Sequence, residues 1–246
     1  MHTKPTTERW QPSRCELHPP RRNNFFFGKQ LDVYHFQLET DYFNAKRWLI
    51  NRLTVGFGVV CGLDVRECSS RDGILVVEPG VAIDGLGREL IVPSTIEMED
   101  PRIMRNHDEE AVFHLVLRYW AGKKDPEPVY TSECPDQEQP GVICESPRLE
   151  LRQGSAPKLK PTPDSICKSI DHCGLEHERL ARIVSESCPD CPTDPSVPLA
   201  DVCVPEGFDP AHSNERCQLS FTPEVRPIVY SNMLLKQLLE CHLKPQ

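Results

Sequence analysis

The spacing of apolar residues changes twice along the chain, and each change predicts a different kind of element. From Leu31 onward, Leu38, Tyr42, Ala45, Leu49 and Leu53 recur at helical spacing. Phe36, Phe43 and Ile50 recur every seven residues on an adjoining face. So wide a stripe predicts a long amphipathic helix packed against more than one surface. Asp32 supplies the N-cap, because its carboxylate can accept from the free amides of the first turn. Gly56 and Gly58 predict the helix stop. The period then falls to two. Val59, Cys61, Leu63 and Val65 alternate with Val60, Gly62, Asp64 and Arg66, which predicts one half-buried strand. Asp72-Gly73 predicts a hairpin with a return strand over 74–78. Pro79-Gly80 and Asp84-Gly85 punctuate further short strands at 81–83 and 89–92. Phe113, Leu115, Leu117 and Tyr119 alternate with His114, Val116 and Arg118, the clearest strand pattern in the chain. The fold class expected is α+β: a strand-rich antiparallel sheet with one long N-terminal amphipathic helix, Pro/Cys-rich loops and a C-terminal helix.

Past residue 130 the composition shifts. Fourteen of the 24 prolines lie between Asp125 and Pro210, and eight of the 12 cysteines lie between Cys134 and Cys217. Proline removes amide donors and interrupts helices and central strands, so long loops are expected here. Within them, 149–151 reads as a short strand, 166–186 as room for one helix, and 198–204 as a strand returning to the main sheet. A last helix is expected over 231–242, with Leu234, Leu235, Leu238 and Leu239 inward. The divisions expected are an N-terminal arm (1–22), a helix-plus-sheet core (23–130), a Pro/Cys-rich loop region (131–198), and a returning strand with the C-terminal helix (199–246).

Lys plus Arg number 28 and Asp plus Glu 37, a formal charge of −9. An acidic chain repels phosphate backbones, which argues against nucleic acid as a partner. No apolar run reaches the roughly 20 residues of a membrane span, and residues 1–14 lack the apolar core of a signal peptide. A cytoplasmic protein is expected, at least until some larger object carries it out. That compartment favours reduced thiols, a metal site, or both, over a disulfide framework.

Cys188-Pro189-Asp190-Cys191 is the sharpest local motif, since two thiolates in a C-x-x-C knuckle can share a zinc ion. Cys167 with Cys173 is the nearest second pair, and His172 and His177 are substitutes. The candidate metal ligands are therefore Cys167, Cys173, Cys188 and Cys191, with structural zinc as the only cofactor considered. Free or disulfide-linked loop cysteines are the plain alternative. A redox role lacks a βαβ context, and Cys173 with His177 lacks an orienting third group for nucleophilic catalysis. Asp64, Asp84 and Glu89 sit near turns and read as solvated turn residues rather than an acid–base pair. No catalytic constellation is recognised, so no enzyme is expected. Of Phe25, Phe26 and Phe27, two rings are expected to pack under the helix and one to anchor a partner. Lys46, Arg47 and Arg52 put positive charge on the helix.

Several blocks resemble a known family. These are Phe26-Phe27-Gly28-Lys29, Asp41-Tyr42-Phe43-Asn44-Ala45-Lys46-Arg47, Asn51-Arg52-Leu53 and Gly56-Phe57-Gly58-Val59-Val60-Cys61-Gly62-Leu63. The run Pro79-Gly80-Val81-Ala82-Ile83-Asp84-Gly85-Leu86-Gly87-Arg88-Glu89 and Pro227-Ile228-Val229-Tyr230-Ser231-Asn232 fit the same pattern. Together they resemble an uncharacterised family encoded with extracellular contractile injection systems, which are phage-tail-like particles. The resemblance covers about the first half of the chain and its last twenty residues. It implies a structural component at or around the baseplate, present in multiple copies and partnered by other baseplate subunits, with no catalytic residues to carry over. A fibre or receptor/glycan-binding module of the same particle is the alternative, and a zinc- or thiol-dependent enzyme the second.

Overall fold

The computed structural model describes residues 17, 19–68, 73–99, 103, 110–129, 138–159, 170–171, 174–207 and 219–242. The architecture is α+β, with mostly antiparallel sheets between an N-terminal and a C-terminal helix. Helix α1 (Val33–Ile50) starts where Asp32 holds extended backbone and its carboxylate accepts from the His35 amide. The ladder then widens into a π turn over Asn51–Val55. It closes where the Gly56 amide donates to the Asn51 carbonyl at 2.8 Å, with Gly56 at a φ of 99° that side chains resist. Gly58 is already the first residue of the following strand, so the stop rests on Gly56 alone.

The alternating run after the helix is two strands, in different sheets. Strand β1 (Gly58–Gly62) and strand β2 (Val65–Glu67) are separated by Leu63, which is fully buried and takes a φ of 59°. That left-handed turn costs an L-residue about 1–2 kcal/mol, an amount the burial of its side chain can offset. Strands β3 (Ile74–Val77), β4 (Gly80–Ile83), β5 (Glu89–Val92) and β6 (Ile96–Glu99) follow. They form two three-stranded antiparallel sheets, ordered β1-β4-β5 and β2-β3-β6.

Strands β7 (Ala111–Arg118) and β8 (Ala121–Pro128) run out along one path, and β9 (Glu138–Glu145) and β10 (Arg148–Gln153) run back along it. Ser146 donates its amide to the Trp120 carbonyl at 2.8 Å, so the pairing bridges the kink between the two halves. The inner half joins a four-stranded sheet, β10-β7-β13-β14. Both faces of β7 are buried between Phe113 and Leu117, so its alternation did not mark a solvated face. The outer half, β8 and β9, is an exposed two-stranded ribbon where loops were expected. Pro126 pairs opposite Pro140 there. Each strand of a ribbon is also an edge, so a missing proline amide can face outward without breaking the ladder.

The short pair β11 (Ile170–Asp171) and β12 (Gly174–Leu175) and helix α2 (His177–Val184) occupy the stretch that was given room for one helix. Strand β13 (Val197–Val204) returns to pair with β7 as anticipated, and β14 (Ser220–Thr222) adds an edge. Helix α3 (Asn232–His242) ends the described chain, with the Leu234 amide donating to the Ser231 hydroxyl at its start.

One apolar core joins the three larger sheets. Leu63, Leu75, Val77, Leu90, Leu115, Leu117, Leu151, Leu199 and Val202 are all buried in it. Among the described residues, no helix is long and apolar enough to cross a membrane.

Candidate assembly interface

The turn between β4 and β5 is the hub that fixes α1 to the sheets. Sequence logic placed Asp84 in solvent; it is 1% exposed. Its Oδ1 accepts from the Leu86 and Arg88 amides, both at 2.9 Å, and its Oδ2 accepts from Arg88 Nε at 2.7 Å. The Arg88 guanidinium lies over the Tyr119 ring, 4.2 Å from its centroid. A carboxylate, a Gly-Leu-Gly reversal and an arginine four residues on thus form one self-satisfied knot. The sequence signal was present in Asp84-Gly85-Leu86-Gly87-Arg88, but short polar turns are usually solvated and nothing local marked this one as buried.

Helix α1 sits on the knot through backbone. Asn51 Nδ2 donates to the Gly87 carbonyl at 2.9 Å and to Glu89 Oε1 at 2.7 Å. Arg47 pairs with Glu89 at 3.2 Å. A Cβ on Gly87 would fall 2.1 Å from the Trp48 carbonyl oxygen. On the other side, the Gly85 amide donates to the Pro195 carbonyl at 2.9 Å, and Arg52 reaches the Pro189 carbonyl at 3.2 Å. Segment 189–195, which carries the second cysteine of the C-x-x-C motif, is therefore scaffolding for the hub.

A charged cluster holds the end of that segment. Arg152 donates to Glu150 at 2.9 Å and to the Ser196 hydroxyl at 3.1 Å, and it pairs with Asp194. The hydrogen bond from Arg152 keeps the Glu150 carboxyl below its ordinary range. Burial pushes the Asp194 carboxyl up, but bonds from Ser196 and Arg152 together outweigh it and leave the net shift downward. Both folded-state values lie below the unfolded ones. Their stabilisation is complete above the unfolded values and is lost as pH falls through the folded ones. Thermal melts from neutral pH down to about pH 3 should show a modest acid-side loss of stability that flattens in Arg152→Met. An unchanged acid limb in that variant would count against the cluster.

Among the described residues, large apolar side chains of α1, Phe25–Phe27 and α3 are exposed. No side chain of α1 is fully buried, and Phe36 and Phe43 are 64% and 61% exposed. The expectation that two of the three phenylalanine rings pack under the helix fails: Phe25, Phe26 and Phe27 are all exposed. Asn23 and Lys29 shape that segment instead. Asn23 Nδ2 donates to the His35 carbonyl at 3.0 Å, and Lys29 Nζ donates to Asn23 Oδ1 at 2.7 Å. Helix α3 was expected to turn its leucines inward, yet Leu235, Leu238 and Leu239 are exposed and only Leu234 is half-buried. Its lead-in is pinned to β1, the strand that α1 feeds. The Val59 amide donates to the Pro227 carbonyl at 2.8 Å, and the Val229 amide donates to the Val59 carbonyl at 2.9 Å. An 11-residue helix is marginal in water without a packed face, and so is an isolated two-stranded ribbon such as β8–β9.

The remaining candidate residues are dispersed. Cys188 is a free, exposed thiol. Cys191 is disulfide-bonded, which corrects the expectation of reduced thiols at this position and leaves its sulfur no thiolate to offer a metal. Cys167, Cys173 and His172 lie outside the described residues, as does most of the expected N-terminal arm. His177 opens α2 and is exposed. Among the described residues, no three His, Cys, Asp or Glu side chains gather as a metal cluster. Trp120 is stacked by the Arg148 guanidinium, 3.8 Å from its ring centre. An open cleft of about 350 Å³ lies beside the hub. Its polar walls already bond one another, Arg47 to Glu89, and Tyr119 to Glu145 at 2.8 Å.

No family model matches the chain, and no curated protein matches it. Solved structures that it resembles include TssK, at 12% identity and a TM-score of 0.41, over 93% of this chain and 50% of that one. They also include a chain of the baseplate complex from the type VI secretion system, at 13% identity and a TM-score of 0.42, over 91% and 66%. Both likenesses are coarse, and the chain spans about half the length of the TssK chain.

Proposed function

We propose that this chain is a structural component of a phage-tail-like contractile injection particle, at or around the baseplate, and that it works through contacts with other subunits. The observation that carries the reading is the uncovered apolar surface on α1, the Phe25–Phe27 segment and α3. Large apolar surfaces left bare on a folded chain mark interaction sites. The sequence blocks that resemble the injection-system family supply the kind of assembly, and they coincide with α1, the hub turn and the pinned lead-in to α3. The mechanism is mechanical: a rigid core presents helices and a ribbon to neighbours, holds them before firing, and lets them rearrange on contraction. The working site is intracellular assembly followed by incorporation into the particle.

Mass spectrometry of purified intact particles tests this. The chain should be present in fixed proportion to sheath and baseplate subunits and should stay through stringent washing. Its absence from particles that fire normally would defeat the proposal.

A further inference from the structure

The stripe on α1 has a spacing and a charge order that specify one kind of occupant. Val33, Phe36, Phe43 and Ile50 are all exposed along one face, with Thr40 and Arg47 completing a repeat of seven. That is the seam of a two-helix coil, in which side chains of one helix fill holes of another. The seam is also electrically polar. Asp32 and Glu39 flank its N-terminal half, and Lys46 and Arg47 lie in its C-terminal half. An antiparallel partner of the same sequence sets each acidic half against the other's basic half. A parallel partner stacks Arg47 on its own copy in the seam, where like charges repel.

We propose that a second copy of this chain covers this stripe, with the two α1 helices antiparallel about a twofold axis. Such an interface is isologous: Glu39 of one copy meets Lys46 of the other, and the reverse contact forms by symmetry. The apolar residues supply the burial, and the charges set the direction. The apolar positions of the stripe are free to take a partner because α1 meets its own sheets through Trp48, Asn51 and the Arg47–Glu89 pair at the hub turn. Lys46 stays exposed, its ammonium 5.4 Å from the Tyr42 ring centre. Among the described residues, Glu39 accepts a long bond, 3.3 Å, from the Asn23 amide. This inference rests on the assembly reading and names one of its partners.

Size-exclusion chromatography with light scattering, on the full chain over a dilution series up to about 100 μM, should show a dimer that dissociates on dilution. Phe43→Asp should leave the circular dichroism unchanged and weaken the dimer at least about tenfold. Glu39→Lys and Lys46→Glu should each weaken it similarly, because each creates like-charge contacts. Mixing these two variants should restore a dimer, since the mixed pair has opposite charges at both contacts. A monomer at every concentration overturns the inference. So does a dimer indifferent to Phe43→Asp, or one that the mixture does not restore. A monomeric chain still found in particles removes the self-pairing and leaves the assembly reading standing; a dimeric chain absent from particles does the reverse.

Discussion

Asp84→Ala is expected to cost about 3–5 kcal/mol of folding stability, because it strands the buried Arg88 guanidinium and frees two amides of the turn at once. Three donors of the knot meet that carboxylate: the Leu86 and Arg88 amides on one oxygen, the Arg88 side chain on the other. Folded domains have only about 5–15 kcal/mol in hand, so the variant should be poorly folded or melt far below the parent. The pair is replaceable as a unit. Asp84→Leu combined with Arg88→Met removes both charges and should recover a good part of the loss, since the desolvation cost disappears with the attraction. Denaturant unfolding of parent, single and double variants checks this. A single variant within about 1 kcal/mol of the parent would show that the knot is not what holds the turn.

Gly87→Ala should produce the second largest effect, with a different spatial signature. The added methyl would meet the Trp48 carbonyl, a backbone atom in the last turn of α1, which cannot swing aside as a side chain could. The residue also sits at a φ of 85°, where alanine is strained by about 1–2 kcal/mol before any contact is counted. The cheapest relief is for α1 to lift off the turn, breaking the bonds from Asn51. Hydrogen exchange of the α1 amides should therefore rise sharply while amides of β7 and β13, deep in the core, keep their protection. Equal loss of protection in both regions would mean that helix and sheets unfold together and that the dock is not a separable joint.

Local signals in the sequence were reliable where backbone chemistry decides. The Asp32 cap, the Gly56 stop, the β7 strand and the returning β13 strand all follow from side-chain type and spacing. The signals gave out where tertiary context decides. Alternation from Val59 to Arg66 describes β1 and β2 equally well as one strand, because the turn at Leu63 is imposed by the meeting of two sheets. The β8–β9 ribbon was hidden by Pro126, Pro128 and Pro140, which exclude central strands but not free edges. Burial of Asp84 depends on Arg88 and on the Tyr119 ring, which comes from the kink between β7 and β8. The exposed helix faces carry a further lesson. An amphipathic stripe reports that a surface wants cover, and does not report whether the cover is part of the same chain. The apolar faces of α1 and α3 read as core positions for that reason, and they stand bare on the single chain.

A reconstruction of the intact particle tests the central idea most directly. Density for this chain should show α1, the Phe25–Phe27 segment and α3 covered by neighbouring subunits. Particles in which the chain is seated with those three surfaces facing solvent would contradict it.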